Sequence, residues 1–127
     1  MMKTKGYKIT FCLSAGYTGT GKTYTAKFAE KVVEQWMTGR LNKGLPTVNG
    51  VLSFGKLFFP AHGRRKDGKL ISVAEVGVYT GEASSIADAK LKDSEIKNTL
   101  ISLATTLKER LQQDKVYIIY KDKNWFV

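Results

Sequence analysis

The stretch Val51–Tyr79, VLSFGKLFFPAHGRRKDGKLISVAEVGVY, decides the fold. Its first part, Val51 to Ala61, carries the β-type bulk of Phe54, Phe58 and Phe59 and predicts a strand. His62-Gly63-Arg64-Arg65-Lys66-Asp67-Gly68 follows as a polar connection, and its Asp-Gly pair is a strong turn signal. Leu70 to Tyr79 then returns as a second strand. Ile71, Val73, Gly77 and Tyr79 share one face of it, and Ala74, Val76 and Val78 share the other. The stretch is an antiparallel hairpin, apolar on both sides.

Downstream, Ile96, Leu100, Leu103, Leu107 and Leu111 recur at steps of four and three and predict an amphipathic helix, with Asp93 or Ser94 as its N-cap. Val116 to Tyr120 reads as a strand, Lys121 to Asn124 as a turn, and Trp125-Phe126-Val127 as a short final strand. Upstream, Lys8 to Leu13 is a strand. Tyr24 to Leu41 is a helix whose Ala26, Ala29, Val32, Val33 and Trp36 keep helical spacing. Gly39 and Asn42-Lys43-Gly44 end it, and Pro46 prevents resumption. No linker or repeat divides the chain, so residues 1–127 are expected to form one domain.

The order β-α-β-β-α-β with a short extra strand resembles the ferredoxin-like α/β plait. That resemblance implies an α+β fold with two helices on one face of an antiparallel sheet. Many plaits of this kind pair sheet to sheet as dimeric α+β barrels. Because the helices can cover only one face of the apolar hairpin, a homodimer is expected.

The sharpest motif lies between the first strand and the first helix. Gly16 to Thr23, GYTGTGKT, matches the G-x-x-x-x-G-K-[ST] pattern of a phosphate-binding loop. In such loops backbone N–H groups surround phosphate, the lysine reaches the β/γ-phosphates, and the following hydroxyl binds Mg²⁺. Gly16, Thr18, Gly19, Thr20, Gly21, Lys22 and Thr23 are therefore candidate phosphate ligands. The surroundings argue against a nucleotide hydrolase, which needs parallel strands and an acidic metal partner.

Charge points the same way. The formal net charge is +10 over 127 residues, and residues 1–45 hold eight basic against two acidic side chains. Such a field attracts polyanions. Arg64, Arg65 and Lys66 at the hairpin tip are candidate phosphate contacts, and Tyr17 and Tyr79 are candidate stacking platforms. The single cysteine, Cys12, reads as a structural thiol in a buried strand. The single histidine, His62, lacks a nearby nucleophile or orienting carboxylate. One histidine and one cysteine do not make a zinc site.

These readings predict a small, basic, non-catalytic binding protein for a phosphate-rich ligand, either nucleic acid or a small nucleotide. It is expected to be homodimeric, soluble and cytoplasmic, with no cofactor, metal or membrane span. A minimal nucleotide hydrolase using Lys22 and Thr23 is one alternative. Docking on an acidic protein surface is the other.

Overall fold

The computed structural model describes residues 6–14, 22–61, 68, 70–82, 92–121 and 123–127. Seven elements follow in order: β1 (Gly6–Cys12), α1 (Ala26–Asn42), β2 (Val51–Pro60), β3 (Ile71–Glu82), α2 (Asp93–Arg110), β4 (Tyr117–Tyr120) and β5 (Lys123–Phe126). The strands form one sheet in the order β2-β3-β1-β4-β5, and every neighbouring pair is antiparallel. Two helices on a five-stranded antiparallel sheet make this an α+β protein, as the element order predicts.

Alternation along the strands sets the core. Tyr7, Ile9, Phe11 and Leu13 of the first strand and its continuation are buried together with Ile118 and Tyr120 of β4. The helices close over this face. Ala29, Val32, Val33 and Trp36 enter from α1, and Ile96, Leu100, Leu103 and Leu107 enter from α2. Leu111 lies just past the end of α2, yet it is fully buried in the same cluster. The expected leucine stripe is therefore core along its whole length.

Boundaries differ from expectation for local reasons. Thr25 caps α1, its Oγ1 accepting the Phe28 N–H at 3.1 Å, so the helix begins at Ala26 rather than Tyr24. Lys92 occupies the cap position of α2, and its N–H donates to Glu95 Oε1 at 3.4 Å. Asp93 thereby becomes the first helical residue and complements the positive end of the helix. β5 takes in Lys123 and Asn124, which face Tyr120 and Ile119 of β4 instead of forming the expected turn.

The β2–β3 hairpin is antiparallel as expected, with Phe58 opposite Val73 and Leu52 opposite Tyr79. Its far half extends past the helices. Phe58 and Leu57, on opposite faces, are 66% and 48% exposed. Ile71 and Val73 are exposed beside them. No helix among the described residues is long and apolar enough to cross a membrane.

Candidate functional site at the carboxyl end of β1

Beyond Cys12 the chain leaves the sheet, and several elements meet. Leu13 N–H donates to the carbonyl of Glu75 at 3.0 Å, which extends the β1–β3 ladder by one step. Tyr24 N–H donates to the Leu13 carbonyl at 2.8 Å, and Ser14 bridges Thr23 in antiparallel fashion. Ser14 and Thr23 thus lie side by side, with Leu13 and Tyr24 joined behind them. α1 starts immediately afterwards, so its first turn lies at this end of the sheet.

β4 pairs with β1 only as far as Thr10 opposite Tyr117, which leaves the Cys12 backbone without a strand neighbour on that side. The side chain of Gln113 takes that place. Its Oε1 accepts the Cys12 N–H at 3.0 Å, and its Nε2 donates to the carbonyls of Ser14 at 2.9 Å and Leu111 at 3.0 Å. Gln113 is buried, and both its amide atoms are engaged. It fixes the path of the chain into the glycine-rich loop. Burial pushes the Cys12 thiol above its ordinary pKa, so it stays protonated at neutral pH, as a structural thiol should.

The carboxylates on the described strands are Glu75 and Glu82, both on β3. Glu82 faces Gly6 at the far end of β1. Glu75 lies at the loop end, exposed, opposite Lys56 of β2. By alternation it shares the face of Gly77 and Tyr79, just beyond the area the helices cover. Just before α1, Lys22 is exposed, and its Nζ lies 5.3 Å from the centre of the Tyr24 ring. Tyr24 stacks in turn on Phe28 at 5.0 Å.

Several expected site residues change meaning here. Lys22 and Thr23 precede α1, with Thr23 held in the bridge to Ser14 and Thr25 doing the capping. The helix N-terminus therefore presents the N–H groups of Ala26 and its successors rather than those of the Gly-Lys-Thr triplet. Tyr79 is corrected outright as a stacking platform. It is 2% exposed, and its hydroxyl donates to the Val48 carbonyl at 2.6 Å, so no face is open to a base. Gly16, Tyr17, Thr18, Gly19, Thr20, Gly21, Arg64, Arg65, Lys66 and His62 lie outside the described residues. Among the described residues no cluster of His, Cys, Asp and Glu is set to hold a metal. Glu75 and Gln113 were not singled out from the sequence, because Glu75 reads as a strand interior and Gln113 acts on residues about a hundred positions away.

No family model and no curated protein matches the chain. Two solved structures share its fold. A phage SAM lyase in complex with S-methyl-5'-thioadenosine superposes with a TM-score of 0.67 at 14% identity, covering 98% of this chain and 88% of that one. A phage SAM lyase in its apo state superposes at 0.59 and 18% identity, covering 97% and 87%. At these identities the likeness is one of fold. It nevertheless overturns the expected function. Both neighbours are lyases, and the ligand in one is a small nucleoside thioether, which corrects the expectation of a non-catalytic module for nucleic acid.

Proposed function

We propose that this chain is a lyase acting on S-adenosylmethionine and releasing S-methyl-5'-thioadenosine. The observation that carries this reading is the end-to-end fold likeness to a phage SAM lyase holding that thioether. The strand order β2-β3-β1-β4-β5 supports a plait of the ferredoxin-like kind with β5 appended, the finer form of the α+β class.

The chemistry asks little of a protein. The electron pair of the bond between sulfur and the γ-carbon of the methionine chain passes to sulfur, and the sulfonium becomes a neutral thioether. A lyase adds no water, so the four-carbon fragment replaces the lost bond from within. Its own carboxylate closing on the γ-carbon supplies the new C–O bond and balances charge. Catalysis is then largely a matter of holding the chain folded for attack and excluding water.

Within that reading Glu75 takes the α-ammonium of the substrate. A carboxylate placed against the sulfonium would stabilise the ground state more than the transition state, since that charge disappears on cleavage. Held by its ammonium, the fragment presents its carboxylate to the γ-carbon. The loop Gly16–Thr23, with Lys22 and Thr23 at its exit, is assigned to the nucleoside, through backbone groups rather than through phosphate. Gln113 positions that loop. A second copy on the exposed far half of the β2–β3 hairpin belongs to the same proposal, because apolar side chains stand uncovered on both of its faces.

Incubation with S-adenosylmethionine followed by chromatography tests the function. The thioether should appear without free methionine or adenosine. S-adenosylhomocysteine as product would mean methyl transfer instead, and unchanged substrate would remove the lyase reading.

A further inference from the structure

The outer surface of the helix layer carries a feature that the lyase reading does not use. Between the second half of α1 and the last turns of α2 runs a groove of about 310 Å³, whose polar lining includes Gln35, Trp36, Arg40, Lys43, Ser102 and Arg110. No carboxylate among the described residues lines it. Arg40 is half-buried and held in place entirely by neutral groups. Its Nε donates to the Pro46 carbonyl at 2.6 Å, its Nη1 donates to Ser102 Oγ at 3.2 Å, and its guanidinium carbon lies 5.6 Å from the centre of the Trp36 ring.

Ser102 Oγ also accepts the Trp36 indole N–H at 3.0 Å. With both lone pairs occupied, this hydroxyl has only its hydrogen left to give, and no described residue accepts it. Arg110 reaches in from α2, its Nη1 donating to the neutral amide oxygen of Gln35 at 3.2 Å. The remaining guanidinium hydrogens and the exposed ammonium of Lys43 complete a wall of donors. The groove lies near the carbonyl end of α1, where the helix dipole opposes an anion. Those carbonyls are already engaged: Arg40 O accepts from Lys43 and Leu45, and Leu41 O accepts from Gly44.

We propose that this groove is a binding site for a phosphate-type oxyanion, either inorganic phosphate or the phosphomonoester of a small molecule. Two guanidiniums, one ammonium and one hydroxyl line the same groove, and no described carboxylate lines it with them; the Arg110 guanidinium also lies 5.6 Å from the centre of the Phe28 ring. A tetrahedral dianion satisfies such a set.

The Trp36 indole N–H sits inside the site and reports on it by two-dimensional NMR. Titration with sodium phosphate at constant ionic strength should shift that resonance along a saturating curve, and Arg110→Gln together with Lys43→Gln should weaken binding at least about tenfold. Lys115→Gln, which also removes positive charge but lies outside the groove, should leave affinity within about twofold. Glycerol 3-phosphate in a parallel titration separates the two sources: tighter binding of the ester identifies an organic phosphate, and equal binding identifies the free anion. A linear, unsaturated shift would overturn the site, as would equal losses in the groove and control variants, since both describe screening of a basic surface.

Discussion

The backbone N–H of Leu13 reaches the carbonyl of Glu75 at 3.0 Å, which ties the entry of the glycine-rich loop to the strand that carries the exposed carboxylate. On the other side of the same segment, Gln113 receives the Cys12 N–H and donates to the Ser14 carbonyl. Gln113→Ala would leave a buried backbone donor and two carbonyls without their partner. It should cost about 1–3 kcal/mol. Urea denaturation measures this. A loss near zero would mean that the loop base holds without the clamp.

The helix stripe gives a second expectation. Leu103 is fully buried between α2 and the sheet, so Leu103→Ala should destabilise by about 2–5 kcal/mol. A change below about 1 kcal/mol in the same denaturation experiment would make α2 peripheral.

A pH effect follows from Tyr120. Its hydroxyl donates to Asp93 Oδ1 at 2.8 Å while Lys121 Nζ holds Oδ2 at 2.8 Å. Burial, then the hydrogen bond and charge of Asp93, raise the phenol well above its ordinary pKa of 10. The folded protein thus keeps a proton that the unfolded chain surrenders. The stabilisation is complete below about pH 10 and is lost as pH rises above it. Wild type and Tyr120→Phe should show converging stability between neutral pH and pH about 11 in parallel denaturations. A constant difference between them would contradict the shift.

The exposed hairpin predicts self-association. At micromolar concentration, light scattering should give at least twice the 14.2 kDa chain mass. Phe58→Lys with Val73→Lys, which charges two facing exposed positions, should return it to monomer. A monomeric wild type would leave the hairpin uncovered in solution and remove the second copy.

Much of the fold is legible in the residues, and the reasons are local. The step of the five apolar residues from Ile96 to Leu111 fixes α2, and bulk around an Asp-Gly turn fixes the β2–β3 hairpin. The candidate site is far less legible. The G-x-x-x-x-G-K-[ST] pattern specifies residue types but not where the helix starts. Thr25 rather than Thr23 accepts the capping hydrogen bond, which alters what Lys22 faces. Tyr79 has the look of a surface ring until the Val48 carbonyl claims its hydroxyl. Glu75 sits among valines and alanine with no sequence neighbour to mark it, and its place at the loop end comes from cross-strand register alone. Gln113 has no pattern at all, because its partners Cys12 and Ser14 are at the other end of the chain.

Release of S-methyl-5'-thioadenosine from S-adenosylmethionine, measured as an initial rate for wild type and Glu75→Gln, tests the lyase reading most directly. Wild type should turn over. Glu75→Gln, which keeps the shape and removes the charge, should lose at least about a hundredfold in rate, equivalent to about 2.7 kcal/mol, with its unfolding midpoint unchanged. Absence of the thioether with folded wild-type protein would contradict the reading, and undiminished release by the variant would remove Glu75 from the site.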